Sequence, residues 1–371
     1  MAKAIDIVSV NIPYVGYGRM ADSIREAVAK KVELREDANA VVYCMTANMV
    51  KGWYEGQRTA MLTMWETTKI PDRFTHLLRM FDTLLVPCDW NAELFERYHD
   101  NIKVVPLGID AEFWQPQDVV PNSRFTFITG GSGWKRKGID QVVQAFRDAA
   151  LPDSQLLIKV HKHIMDKPKS YDLGPGIKVI EKVMTPEEER AFYAQADCFV
   201  SATRGEGFGL IPLQNIALGN RVIAPSHTGH LMFDEGFDYQ LSWDYGKAEM
   251  QYFDDIGDWF IPDHAELVEA MVDAYEKGRP SLSERQMKWE WAESWSWDNT
   301  ASRLLEAFPA GKLLKEKRWV PSGKVTMKVR TLRKVEADVG QFRLRFPANA
   351  VVDIPVSTLA HLRECGLVTE I

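Results

Sequence analysis

Short apolar segments alternate with amphipathic segments along the first three hundred residues. Residues 5–10 and 40–45 are apolar runs of strand length, whereas residues 20–31 place apolar side chains at every third or fourth position, which is the period of a helix. Strands that alternate with helices form parallel sheets, because each crossover helix returns the chain to the same end of the sheet. The sequence therefore predicts an α/β protein.

The alternation is interrupted once and then begins again. Residues 111–123 contain Pro116 and Pro121 and show no clear period, which is typical of a linker. The chain is 371 residues long, enough for two domains. We therefore predict two Rossmann-like, doubly wound domains, at 1–118 and 119–286.

The texture changes after Pro309. Residues 324–332 and 341–346 alternate apolar and polar side chains with period two, so residues 311–371 are predicted to form a small β-rich appendage. Residues 311–345 carry 11 Lys and Arg against 3 Asp and Glu, a net charge of +8. A segment this basic is suited to contact an acidic partner.

Composition excludes several classes of protein. Residues 1–310 carry a net charge of −13, which disfavours general nucleic-acid binding by the body of the chain, because that affinity depends on neutralising phosphates. No apolar run approaches the ~18 residues of a transmembrane helix, and the N-terminus is predicted to be a first strand and not a signal peptide. The four cysteines lack CxxC spacing, which favours a reducing, cytoplasmic location and no zinc site.

Ligands of open α/β sheets bind at the carboxyl ends of the strands, so the loops there are the candidate sites. Residues 130–140 combine glycines with three consecutive cations and the start of a helix, a combination that suits a diphosphate. A solvated basic turn is the alternative interpretation.

A second loop, residues 201–214, places glycines around Glu206 just before a predicted helix. A carboxylate there can accept hydrogen bonds from sugar hydroxyls while backbone N–H groups meet phosphate. The alternative is a tight turn with an exposed acid. A third loop, residues 13–19, holds Gly16 and Gly18; a lone GxG is weak evidence, because any crossover needs tight turns.

Taken in order, these motifs make the chain resemble the retaining nucleotide-sugar glycosyltransferases of the GT-B fold, glycosyltransferase family 4 (group 1). The resemblance covers residues 1 to about 309. The motifs that carry it are 63–67 (TMWET), 86–91 (VPCDWN), 105–110 (VPLGID), 136–140 (RKGID), 206–209 (EGFG), 217–224 (ALGNRVIA) and 295–297 (WSW).

The resemblance implies two Rossmann-like domains facing across a cleft, with the donor nucleotide mainly on the second domain and the acceptor on the side of the first. A last helix, 287–309, is expected to cross back to the first domain. The family's reaction implies sugar transfer with retention at the anomeric carbon, with no metal and no cofactor beyond the nucleotide-diphosphate sugar itself.

The resemblance also implies roles for individual residues. Lys137, with Arg136 beside it, corresponds to the basic pair on the donor diphosphate, and Glu206 corresponds to the carboxylate that faces the donor sugar. Gln214 stands where the family has a second glutamate on the ribose, so its hydrogen bond there would be uncharged. The remaining donor-binding positions are Gly16, Gly18, Gly131, Ser132, Gly207, Phe208 and Gly209, and the possible cleft positions are Glu66, His227 and His230.

The acceptor is not indicated by these motifs. Residues 341–346 and 362–368 resemble small modules of bacteriophage proteins, which would make the acceptor a virion protein or a modified DNA base and place the protein in the host cytoplasm. Without that resemblance, a lipid-linked or saccharide acceptor is the expectation. Two alternatives stay open. A hydride-transfer enzyme would need a GxGxxG turn with a distal acid, which neither domain shows. A non-catalytic nucleotide-sugar or partner-binding protein of the same fold is favoured by Gln214 alone.

Overall fold

Two parallel sheets, both flanked by helices, make up most of the protein in the computed structural model. The residues that the structure describes are 3–9, 16–46, 49–50, 52–54, 56–120, 122–161, 171, 173–250, 253–314, 319–321, 326–331, 335–339, 342–346, 351–355 and 368–370.

The first domain contains a parallel sheet with, among the described residues, six strands in the order β2-β1-β3-β5-β6-β7. Its strands, together with the short β4 outside the sheet, are β1 (Ala4–Ser9), β2 (Glu33–Leu34), β3 (Ala40–Cys44), β4 (Gly52–Tyr54), β5 (Arg58–Leu62), β6 (Thr83–Val86) and β7 (Ile102–Val104). Its helices are α1 (Gly16–Ala29), α2 (Asp72–Leu78) and α3 (Asp89–Phe95). All residues of β3 and β6 are buried, as expected for central strands covered on both faces.

The second domain repeats this architecture, with a described sheet in the order β10-β9-β8-β11-β12-β13. Its strands are β8 (Phe125–Gly131), β9 (Ser154–Val160), β10 (Ile177–Glu181), β11 (Cys198–Val200), β12 (Arg221–Pro225) and β13 (Tyr239–Leu241). Its helices are α4 (Ile139–Ala149), α5 (Pro186–Tyr193), α6 (Leu210–Ala217) and α7 (His264–Lys277). An antiparallel hairpin of β14 (Trp243–Lys247) and β15 (Asp258–Pro262) follows β13. The predicted α/β class with two doubly wound domains is confirmed.

Two helices then return the chain to the first domain. They are α8 (Leu282–Ala292), whose N-terminus is closed by a Ser281–Glu284 capping box, and α9 (Trp297–Ala307), capped by Ser296. The Thr300 hydroxyl on α9 donates to Pro106 O at 2.9 Å, and α9 packs along α1. The predicted crossing helix is therefore two helices, of which α9 lies on the first domain.

The C-terminal segment is attached to the first domain as well. Gly311 and Ala4 exchange backbone hydrogen bonds of 3.1 Å, and the Asn39 N–H donates to Lys312 O at 3.0 Å. The strand β16 (Trp319–Pro321) then pairs antiparallel with β4. The remaining strands are β17 (Thr326–Thr331), β18 (Val335–Val339), β19 (Phe342–Phe346), β20 (Val351–Pro355) and β21 (Val368–Glu370). They form an antiparallel β20-β17-β21 sheet and a β18-β19 hairpin, so the predicted β-rich appendage is confirmed among its described residues.

Two details differ from the sequence prediction. Gly16 and Gly18, predicted in a turn, lie in the first turn of α1, which begins four residues earlier than its apolar period suggested. Gly131, predicted in a loop, is the last residue of β8. In the part of the chain described, no helix is long and apolar enough to cross a membrane.

Candidate active site

Two loops of the second domain are held together beneath the cleft. The first, residues 132–138, joins β8 to α4, and the second, residues 201–209, joins β11 to α6. The Arg204 N–H donates to Arg136 O at 2.7 Å, and the Arg204 guanidinium donates to Lys135 O and to Asp140, both at 2.8 Å. Gly138, at a φ of +62°, leaves no room for a side chain because the Ala202 carbonyl lies against it. Both loops therefore present their side chains as one site.

Glu206 is the centre of this site. It is 6% exposed, and its carboxylate accepts a hydrogen bond of 2.5 Å from the Lys137 ammonium. The Arg136 guanidinium lies 3.6 Å from the same carboxylate and donates to Gly205 O at 2.7 Å. The structure thus brings together the three residues that sequence reasoning placed at the diphosphate and the donor sugar.

The first domain contributes a carboxylate to the same cluster. Glu66, on the loop between β5 and α2, lies 3.9 Å from the Arg136 guanidinium and is partly exposed. Burial raises the pKa of Glu66, and the nearby Arg136 opposes that rise. Arg136 therefore stands between a carboxylate from each domain.

The charge of Glu206 is retained to low pH. Burial raises the pKa of its carboxyl, but Lys137 and Arg136 together outweigh that effect and lower the pKa from 4.5 to about 2. The folded protein consequently binds this proton more weakly than the unfolded chain does. The resulting stabilisation is complete above about pH 4.5 and is lost as the pH falls towards 2.

This shift predicts a difference in acid stability between the protein and its Glu206→Gln variant. From pH 5 to pH 3 the wild type should lose more of its free energy of unfolding than the variant, by about 2 kcal/mol. Urea unfolding at both pH values measures this, with both proteins made in a Glu66→Gln background because the Glu206 charge raises the pKa of Glu66. Equal losses in the two proteins would contradict the lowered pKa.

Gly205 and Gly207 are glycines for a reason that the sequence did not reveal. A Cβ at Gly205 would collide with the Glu66 carbonyl, and one at Gly207 with the Met64 side chain. Asn91 also donates to Gly207 O at 3.3 Å. The loop that carries Glu206 is therefore pressed against the first domain, and glycine is required because the two backbones approach so closely.

The α6 helix starts within the same loop. Its N-cap, Gly209, has a φ of +108° and provides no side-chain cap, and the first turn carries no acidic residue. Gln214 lies on α6 and is partly buried. Gly131 is buried and lies against the Lys137 side chain, whereas Ser132 is exposed. Unpaired N–H groups at a helix N-terminus and adjacent cations are the groups that bind phosphate.

Other predicted positions lie in the protein interior. The Phe208 ring is fully buried between Phe233 and Trp295. His227 and His230 are 1% and 0% exposed, beneath the loop that carries Glu206. Their contribution to ligand binding stays a prediction.

Both histidines are held by backbone carbonyls. The His227 Nε2–H donates to Thr203 O and the His230 Nδ1–H to Pro225 O, each at 2.9 Å. Burial lowers the pKa of both rings, that of His227 to about 3. Both rings are therefore neutral near pH 7, and they pack beneath the loop that carries Glu206.

Sequence reasoning missed the contacts that join α1 to the rest of the cleft. The Tyr17 hydroxyl, one residue after Gly16, accepts a hydrogen bond of 3.1 Å from the Met64 N–H. Arg19 pairs with Glu189 of the second domain. An aromatic after the first glycine and an arginine after the second were the available signals.

Among the residues described, no three His, Cys, Asp or Glu side chains form a group that could hold a metal ion.

Comparison with known proteins agrees with this architecture. Residues 124–276 match the family model described as glycosyl transferases group 1. No curated protein matches the chain in sequence.

Solved structures are similar to the chain over most of its length. Anabaena Alr3699/HepE, in complex with UDP and glucose, is 9% identical with a TM-score of 0.59, covering 82% of this chain and 99% of that one. A glycosyltransferase from Rickettsia africae is 11% identical with a TM-score of 0.56, covering 82% and 97%. Sucrose-phosphate synthase from Thermosynechococcus elongatus is 13% identical with a TM-score of 0.51, covering 78% and 77%. At such identities the likeness establishes the fold, which is GT-B.

Proposed function

We propose that this chain, whose residues 124–276 form a group 1 glycosyl transferase domain within a GT-B fold, transfers a sugar from a nucleotide-diphosphate sugar to an acceptor hydroxyl. The observation that carries the proposal is the Lys137–Glu206–Arg136 cluster beside the N-terminus of α6. A similar fold in Anabaena HepE was solved with UDP and glucose, which supports a nucleotide sugar as the donor.

The cluster suits the departure of a diphosphate. Lys137, Arg136 and the uncapped N-terminus of α6 supply positive charge where negative charge develops on the leaving group. Glu206 accepts hydrogen bonds and keeps its charge, so it can hold hydroxyls of the transferred sugar as well as Lys137. In this proposal Gly207 and Gly209 bring their backbone N–H groups to the sugar and phosphates, and Gln214 contacts the ribose.

We further propose that transfer retains the anomeric configuration and requires no metal. A carboxylate that accepts a 2.5 Å hydrogen bond from an ammonium is a poor nucleophile, which supports a positioning role for Glu206. The departing phosphate oxygen then assists removal of the acceptor proton, and the two cations supply the charge that a metal would otherwise provide.

Titration calorimetry with a panel of nucleotide sugars, followed by detection of product, tests the activity. NMR of the product's anomeric proton tests retention, and turnover in EDTA tests metal independence. Binding without turnover on any acceptor would favour the second candidate, a non-catalytic nucleotide-sugar or partner-binding protein. The uncharged Gln214 at the expected ribose position is the observation that favours it.

For the acceptor, we propose a macromolecule that docks on the basic appendage. Residues 311–345 have a net charge of +8, and β16 attaches this segment to the first domain, on the acceptor side of the proposed cleft. A virion protein or a modified base of phage DNA fits the resemblance of residues 341–346 and 362–368 to phage modules. The protein would then act in the reducing cytoplasm of the host, which suits the buried, free Cys44, Cys88 and Cys198.

Deletion of residues 322–371 tests this role for the appendage. The truncation keeps the backbone pairing of Gly311, Lys312 and β16 with the first domain, so hydrolysis of the sugar nucleotide should stay within about twofold of wild type. Transfer to the macromolecular acceptor should fall by at least tenfold. In the full chain, raised salt should slow transfer, because it screens charges separated by more than ~8–10 Å. Loss of hydrolysis together with transfer would show that the appendage is structural.

A further inference from the structure

One side chain in the first turn of α1 reaches from the first domain to the second. The Arg19 guanidinium forms an ion pair with Glu189 of α5 and donates a hydrogen bond of 3.0 Å to Met184 O, just before α5. Arg19 thus binds both the start of α5 and the segment leading into it.

Glu189 is well suited to receive this cation. It is 6% exposed, and it lies in the N-terminal half of α5, where the helix dipole favours a negative charge. Lys159, near the end of β9, forms a second ion pair with the same carboxylate. Because Lys159 belongs to the same domain as Glu189, the carboxylate keeps a partner even when Arg19 is withdrawn.

A second group of contacts between the two domains is formed by aromatic rings. The Trp65 and Phe74 rings of the first domain contact Phe253 of the second at 5.3 and 5.8 Å between ring centroids, and Trp90 contacts Phe260 at 5.8 Å. These ring contacts carry no charge, whereas the Arg19–Glu189 ion pair loses strength as the two charges move apart and water enters between them. The Arg19 side chain is 34% exposed, so water can replace its partners.

We propose that Arg19 is a positioning residue that clamps the first turn of α1 against the second domain and so completes the phosphate site. Gly16, three residues before Arg19, is exposed and has open space where a Cβ would lie, so a ligand can approach the backbone there. With the clamp made, this glycine turn faces the donor held by Lys137. With the clamp broken, the first turn of α1 is released from the second domain, while the contacts of the Glu206 loop with the first domain remain. This inference rests on the proposed binding of a nucleotide-diphosphate sugar.

The test compares two equivalent substitutions at cross-domain ion pairs. Arg19→Gln removes the clamp, and Lys69→Gln removes the exposed Lys69–Asp255 pair beside the aromatic contacts. We expect Arg19→Gln to raise the KM for the donor about tenfold, or about 1.4 kcal/mol, and to lower kcat. Lys69→Gln should change both constants less than twofold. Equal effects of the two variants, or none for Arg19→Gln, would overturn the clamp.

A background without the Glu189 carboxylate separates a clamp from a merely structural role. In Lys159→Met/Glu189→Gln both charges of the second domain are removed together, so no buried charge is left alone. Adding Arg19→Gln to this background should raise KM clearly less than tenfold, because only the hydrogen bond from Arg19 to Met184 O remains to be lost. A further tenfold rise would show that Arg19 acts through other groups.

Hydrogen exchange without nucleotide keeps the clamp independent of the proposed function. Arg19→Gln should speed exchange of the amides in residues 16–29 at least fivefold relative to wild type and Lys69→Gln, because the first turn of α1 loses its attachment to the second domain. Unchanged exchange would contradict the clamp. If exchange responds but no nucleotide sugar binds the wild type, the clamp stands and the proposed function fails.

Discussion

Replacing Lys137 with alanine is expected to lower turnover by about 10²-fold or more. One hydrogen-bond donor at a developing oxyanion contributes ~2.7–4 kcal/mol to transition-state stabilisation, and Lys137 is the cation nearest Glu206, the carboxylate proposed to hold the donor sugar. Steady-state kinetics with the nucleotide sugar identified by calorimetry measures the effect. Turnover close to that of the wild type would remove Lys137 from the diphosphate site.

The same substitution should also reduce stability, because Lys137 is not a solvated loop residue. Its side chain is 13% exposed, and its loss leaves the buried Glu206 with Arg136 at 3.6 Å. Lys137→Met/Glu206→Gln removes both charges and should recover stability while remaining inactive. Lys135→Ala is the matched control, because Lys135 lies in the same loop but is exposed and pairs with Glu249. It should leave turnover within about twofold of wild type.

Glu206→Gln is expected to lower kcat far more than Gln214→Ala does. In the proposed site Glu206 contacts the transferring sugar, where charge changes during the reaction, whereas Gln214 contacts the ribose, where charge does not change. Loss of the first contact destabilises the transition state by about 10²-fold in rate. Loss of the second removes uniform binding, so it raises KM without lowering kcat.

Gln214→Glu provides the control of opposite sign. A hydrogen bond to a charged group contributes about 1.5–3 kcal/mol against about 0.5–1.5 for a neutral one, so this variant should bind the donor about tenfold more tightly. Gln214 is partly exposed on α6, so neither Gln214→Glu nor Gln214→Ala disturbs the core. A larger loss of kcat in Gln214→Ala than in Glu206→Gln would mean that the two positions are exchanged.

Much of the fold was predictable, because the spacing of apolar residues shows which segments form strands and which form helices. The central strands β3, β6, β8 and β12 follow from short apolar runs. The start of α1 could not be predicted in this way, because Gly16 and Gly18 are more typical of a turn than of a helix. In the structure, contacts of Tyr17 with the first domain accommodate them in the helix. The hairpin β14-β15 was missed too, because β14 is mostly polar and exposed and the buried residues of β15 do not alternate with exposed ones.

For the site, the sequence places residues in loops but does not show which ones meet. That Lys137 and Glu206, 69 positions apart, are within hydrogen-bonding distance depends on β8 and β11 being neighbours in the sheet. The close packing of Met64 and Glu66 against the Gly205–Gly207 loop depends on how the two domains dock. No local pattern contains that information. The same holds for Arg19 and Glu189, which are 170 positions apart.

The pairing of Ala4 with Gly311, and of β4 with β16, has a consequence for synthesis of the chain on the ribosome. All six described strands of the second sheet lie between Phe125 and Leu241, so that domain can assemble as soon as its own residues emerge. The first domain is complete only once α9, residues 311–314 and β16 are present, and these are made after the entire second domain. The domain that is translated first is therefore the last to be completed.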